Sequence, residues 1–226
     1  MVFKDRRDAG RQLGRRLSPY GHLRPVVVAL PRGGVPVAAE IADCLGAPLD
    51  VIVVRKIGLP WHPELAIGAI AEGDVCLLND ALIAEVGLRR EELDTAIARE
   101  RAELDRRVHA YRGERSPIPL DGRMVILVDD GMATGYTARA AIELIRRRRA
   151  SRVVLAVPVA PEDNVAMMRG VADEVVALQT PTWFLSIGEH YEDFRQTSDD
   201  EVVALLEQSA TAKSGLAAAG QSERRT

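Results

Sequence analysis
The sequence is poor in aromatic residues. Phe, Trp and Tyr together make up 4% of its 226 residues, so Val, Leu, Ile and Ala must build the core. Cysteine is scarce too. Cys44 and Cys76 belong to no CxxC pair and lie near no His at metal-ligand spacing, which predicts free thiols buried in a reducing compartment. The four histidines (22, 62, 109 and 190) are scattered and suggest no metal site. No run reaches the ~18 apolar residues of a membrane span. The opening MVFKDRRDAG has no apolar signal-peptide core. A cytoplasmic protein with no membrane partner is expected. A large excess of one charge is also missing. The formal net charge of -3 argues against nucleic acid as a partner of the whole molecule.

What is present is apolar and ordered. Hydrophobic residues make up 47%, which excludes a disordered chain. A chain of this length buries roughly 70% of its unfolded surface and needs no disulfide or metal staple. One domain is expected over residues 1–208, with a disordered, aperiodic tail at 209–226. The modest net charge hides two biased segments. Residues 1–24 hold seven bases and two acids, whereas 189–201 hold six acids and one base.

Continuous apolar runs alternate with helical patterns. Residues 5–17 read as a helix capped by Asp5, with Ala9, Leu13 and Leu17 on one face. Its arginines, Arg6, Arg7, Arg11, Arg15 and Arg16, read as a solvated face. Val26–Leu30 and Leu49–Val54 read as buried strands flanking a helix from Val35 to Leu45. Residues 55–63, with two prolines and a glycine, read as a loop. Leu65–Ala71 and Val75–Leu78 read as a hairpin. Residues 88–112 form the longest helical pattern. Their narrow apolar stripe suits a helix lying across the surface or at a dimer contact. Strands at Met124–Val128, Val153–Val157 and Glu174–Leu178 alternate with helices at Gly135–Arg149 and Glu162–Gly170. Together these predict an α/β fold with an open, mostly parallel, Rossmann-like sheet flanked by helices.

The segment that carries chemistry is Val125–Thr137, VILVDDGMATGYT. It reads as a buried strand, two carboxylates at its carboxyl end, a loop of small residues and a helix. Ligands of open α/β sheets bind outside the carboxyl ends of strands. A small-residue loop opening a helix offers amides and a positive dipole end to a phosphate. Asp129 and Asp130 suit sugar hydroxyls and a Mg²⁺ ion or its water shell. One site for a phosphate, sugar hydroxyls and Mg²⁺ points to a sugar phosphate.

This segment resembles the phosphoribosyl-pyrophosphate (PRPP) loop of the type I phosphoribosyltransferases, in a little-characterised bacterial branch. Gly131 departs from the pattern, which usually has a branched or long apolar residue there. The resemblance extends over roughly residues 20–200. It implies 5′-phosphate and ribose binding by Asp129, Asp130, Gly131, Met132, Ala133, Thr134, Gly135, Tyr136 and Thr137. It implies a pyrophosphate site at Arg32, Gly33, Gly34, Arg55 and Lys56, a flexible hairpin loop at 57–68 with Trp61 and His62, and a small hood at 180–200. Asp129, Asp130, Arg32 and Lys56 are the catalytic candidates. The implied reaction transfers the phosphoribosyl group from PRPP to a small nitrogen acceptor, releasing pyrophosphate, with Mg²⁺ as cofactor and a homodimer as the assembly. Hypoxanthine–guanine members carry an Asp where this chain has Ala133, so that base is missing here. Trp183, Phe184, Tyr191 and Phe194 read either as an acceptor-stacking set or as a local apolar cluster. A PRPP-sensing regulator without turnover is the rival reading. It would need a basic face for nucleic acid, and the helix at 5–17 is the candidate.

Overall fold
A computed structural model describes residues 2–222. Five strands form one parallel sheet: β1 (Val26–Ala29), β2 (Leu49–Val51), β6 (Met124–Val128), β7 (Arg152–Val159) and β8 (Glu174–Gln179), in the order β2-β1-β6-β7-β8. A separate antiparallel sheet is made by β3 (Val54–Leu59), β4 (His62–Ala71) and β5 (Val75–Leu78). The helices are α1 (Arg6–Leu17), α2 (Gly34–Leu45), α3 (Asp80–Glu85), α4 (Arg90–Arg112), α5 (Tyr136–Arg147), α6 (Glu162–Met168) and α7 (Asp199–Ser222).

The central sheet is apolar on both faces because side chains alternate along each strand. Val27, Ala29, Ile126, Val128, Val154 and Ala156 face one core, shared with α2, α4 and α7. Val26, Val28, Val125, Leu127, Val153 and Leu155 face the other, against α5 and α6. No buried aromatic is needed to fill these layers except Tyr111 of α4, on the first face.

Four expectations need correction. Residues 55–63 are not a loop: β3 and β4 pair from Val54↔Ala71 to Leu59↔His62, with register shifts at Gly58. Gly58 allows that bulge, since a Cβ there would lie 2.2 Å from the Pro63 carbonyl oxygen. The expected strand at Leu49–Val54 therefore splits, and its two halves belong to different sheets. The expected disordered tail at 209–226 is helical as far as Ser222. Val202, Leu205 and Leu206 of α7 are buried in the first core, and the Ala-rich continuation favours helix. Residues 223–226 lie outside the described ones. Finally, Cys44 is exposed and Cys76 half-buried, so neither is a core thiol. The long helix α4 turns Leu93, Ala96, Leu104 and Tyr111 inward. No helix among the described residues is long and apolar enough to cross a membrane.

Candidate active site at the switch point of the sheet
The chain leaves β1 toward β2 on one side and reaches β6, β7 and β8 on the other. The carboxyl ends of β1 and β6 therefore flank a crevice, the position at which open α/β sheets bind ligands. Two loops meet there. Residues 30–33 follow β1 and residues 129–135 follow β6. They are stitched by the Leu30 amide, which donates to the Val128 carbonyl at 2.9 Å. The peptide between Pro31 and Arg32 is cis.

The glycines of the first loop permit this closeness. A Cβ on Gly33 would lie 1.9 Å from Asp130 Oδ2, and one on Gly34 would lie 2.7 Å from the Val128 carbonyl oxygen. Gly33 and Gly34 are thus required by the second loop. The Gly34 amide donates to the Leu30 carbonyl at 3.0 Å. Among the described residues, the Arg32 and Gly33 amides donate to no backbone carbonyl, and they are the ones free for an anion.

A cavity of about 510 Å³ opens above the loops. Its walls bring together Arg32, Gly33, Arg55, Lys56, Asp129 and Thr137, six residues singled out in the sequence. Arg99 and Glu100 of α4 also line it. Sequence reasoning missed these two, because on α4 they look like two more charges among many. Glu100 is buried and pairs with Arg55 at 2.6 Å and Arg99 at 3.1 Å. Arg32 lies 3.6 Å from Asp199 at the start of α7. Tyr111 donates to the same Asp199 at 2.7 Å, and burial with this carboxylate beside it pushes the phenol up to about 12.

The second loop divides its residues between packing and exposure. Met132 is buried and its amide donates to the Val159 carbonyl at 2.9 Å. Gly131 is close-packed under Ile187 of the hood: a Cβ there would lie 2.5 Å from Ile187 Cγ2. That contact explains why a branched residue is absent. The Ala133 carbonyl accepts from Asn164 Nδ2. Ala133 and Thr134 are otherwise exposed. Gly135 adopts a left-handed φ of 76° that starts α5, which glycine tolerates best. The first amides of α5 have no intrahelical acceptor and face a bound anion in such loops. The Tyr136 hydroxyl accepts from Asn79 Nδ2 at 3.1 Å.

Asp129 and Asp130 differ in surroundings. Asp129 faces the cavity, and its Oδ1 accepts from the Asp130 amide at 2.9 Å. Burial, then the neighbouring Asp130 charge, pushes its carboxyl well above the usual range, with Lys56 opposing. Asp130 is 8% exposed and meets Arg6 Nε at 2.8 Å. Burial pushes this carboxyl up as well, against the lowering by Arg6. Arg6 is therefore internal, not part of a solvated face. Its partner lies 124 residues away, beyond any local signal.

The hood aromatics part company. Tyr191 is buried, stacks on Phe194 with centroids 5.0 Å apart, and packs on Phe3. Phe184 stacks on His190. Trp183 is 92% exposed. Trp61 and His62, at the tip of the β3–β4 hairpin, are exposed and line no part of the cavity.

The structure is an α/β fold whose parallel sheet carries a cationic cavity over a strand–DDGMATG–helix loop. Comparison with known proteins gives the family. Residues 7–195 match the phosphoribosyl transferase domain model, and the chain belongs to that family. A Mycobacterium tuberculosis protein with a provisional phosphoribosyl transferase name is 52% identical over 206 residues, 91% of this chain and 46% of the relative. The chain thus spans about half the length of that relative. The bifunctional protein PyrR of Thermus thermophilus is 33% identical over 113 residues, 50% of each chain. The crystal structure of TT1426 from Thermus thermophilus superposes with a TM-score of 0.78 at 43% identity, covering 91% of this chain and 98% of that one.

Proposed function
We propose that the cavity binds PRPP and that the protein transfers its phosphoribosyl group to a small nitrogen acceptor, releasing pyrophosphate. The observation that carries this reading is the shared cavity of Arg32, Arg55, Lys56, Asp129 and Thr137 at the switch point. The 5′-phosphate would sit on the start of α5, with Thr134 and Thr137 beside it. The pyrophosphate would lie toward Arg32, Lys56 and the free amides of Arg32 and Gly33. Asp129 would accept from the ribose hydroxyls and oppose the positive charge of an oxocarbenium-like ring. As C1–N bonding begins and the C1–O bond breaks, negative charge grows on the leaving group. The cations that line the cavity would stabilise that charge.

The residues fit Mg²⁺ held partly through water. Among the described residues no group of three or more acidic, His or Cys side chains could cage a metal. Mg²⁺ is commonly bound by one or two carboxylates together with substrate phosphates. Asp129, destabilised by burial and by Asp130, is the carboxylate a cation would relieve. When bound, the ion would supply charge neutralisation for the pyrophosphate.

The nucleic-acid-binding alternative finds less support in α1. Arg6 is internal, and Arg7 and Arg11 share Glu40 at 3.2 and 3.8 Å. The test is PRPP-dependent pyrophosphate release across purines, pyrimidines and simple amines. Release with one acceptor class supports the reading. A retarded nucleic-acid complex with no release under any acceptor would overturn it.

A further inference from the structure
Arg32 is the cation of the first loop, and its backbone is anchored where α2 begins. Its carbonyl accepts from the Val35 amide at 3.1 Å. Among the described residues, one carboxylate lies within ion-pair distance of its side chain: Asp199 Oδ1, 3.6 Å from Nη1. Asp199 is the first residue of α7, 167 positions further along the chain. Two helices hold its carboxylate in place. The buried Tyr111 hydroxyl of α4 donates to Oδ1 at 2.7 Å. Arg106, also on α4, lies 3.8 Å from Oδ2. Val202, one turn along α7, is buried in the core that α7 shares with α2. The amino terminus of α7 itself favours a negative charge at that position.

We infer that Asp199 is a positioning residue: anchored by Tyr111, it holds the Arg32 guanidinium at the cavity wall, so that α4 and α7 set the pyrophosphate end of the site. The inference rests on the PRPP reading of the cavity. The pair contributes little to stability, because its side chains are 26% and 36% exposed and solvent screens them. Its effect is on geometry. A free arginine side chain samples many rotamers and loses that freedom when it grips a ligand. Held through Nη1, Arg32 has lost part of it beforehand, and its other N–H groups stay free for an anion. Such preorganisation strengthens binding without adding a contact to the ligand.

The experiment is a double-mutant cycle on the full chain, read by calorimetric titration with PRPP and, separately, with inorganic pyrophosphate, each with Mg²⁺. Asp199→Asn keeps an acceptor for Tyr111 and removes the charge. It should weaken both ligands by about fivefold, the upper end for a partly exposed ion pair. Arg32→Gln should weaken them by at least ~10-fold. In the Arg32→Gln background, Asp199→Asn should add less than about a twofold loss, because its effect passes through Arg32. Asp199→Glu keeps the charge and should retain most of the affinity. Equal losses in both backgrounds would overturn the inference, because Asp199 would then act on the fold and not on Arg32. Unchanged or tighter binding in Asp199→Asn would overturn it too, the carboxylate being then idle or a competitor for Arg32. A wild-type chain that binds neither ligand fails the PRPP reading itself, and the inference with it. Wild-type binding with an ineffective Asp199→Asn fails the inference alone.

Discussion

At the residue scale, the site is a compromise between folding and binding, and Asp129 shows it most directly. Its carboxyl is held above its ordinary value of 3.8 by burial and by Asp130. The folded chain therefore holds this proton more tightly than the unfolded chain. That contribution is fully present below pH 3.8 and is lost as pH rises through the raised value. Without Mg²⁺, Asp129→Asn should be more stable than wild type at pH 7 and equal to it below pH 3.8, as read by thermal unfolding. The same variant should bind PRPP with Mg²⁺ at least ~10-fold more weakly, because a charged acceptor for hydroxyl groups is gone. Gly131 poses a packing test. Gly131→Val should cost about 1–3 kcal/mol by overpacking against Ile187. Adding Ile187→Ala should restore part of that loss in urea unfolding, and an unchanged loss would remove Ile187 as the cause.

At the element scale, the strands of the parallel sheet and the helices around them were legible because each is locally consistent. Met124–Val128 is an unbroken apolar run, and Gly46 ends α2 with a left-handed φ of 58°. The β3 strand was not legible. Gly58, Pro60 and Pro63 carry loop signals, and only pairing with β4 overrides them. The start of α7 was hidden by its acids, Asp199, Asp200 and Glu201. They are favourable at a helix amino terminus, although in the sequence they read only as part of the acidic segment 189–201. The PRPP-type loop was legible as a pattern of residue types. The pairings of Arg6 with Asp130 and of Glu100 with Arg55 were not, since nothing local encodes partners 124 and 45 residues apart. Glu100 gives the prediction that belongs to α4. Glu100→Gln should cost about 1–3 kcal/mol of stability, as for a lost charged hydrogen bond. It should also tighten PRPP binding by about threefold, since an anion leaves a cavity built for one. Weaker binding would instead make Glu100 the residue that keeps Arg55 in place for the ligand.

At the scale of the whole molecule, two sheets and one long helix border a cavity lined by four cations, Arg32, Arg55, Lys56 and Arg99, within a chain of net charge -3. On the proposed reading, the attraction for PRPP is local, set by Arg32, Arg55, Lys56 and Arg99. Raising the salt concentration should therefore weaken binding less than it would for a broad basic face, because partly enclosed charges are screened less. The expected homodimer is tested by light scattering after size exclusion, where a mass near twice the 24.6 kDa of the chain would support it and a monomer would contradict it. The most direct measurement is calorimetric titration of the wild-type chain with PRPP, with and without Mg²⁺, beside Asp129→Asn. Saturable binding at one site per chain, strengthened by Mg²⁺ and lost in Asp129→Asn, is the expected result. No binding, or equal binding by wild type and Asp129→Asn with no effect of Mg²⁺, would contradict the assignment of this cavity to PRPP.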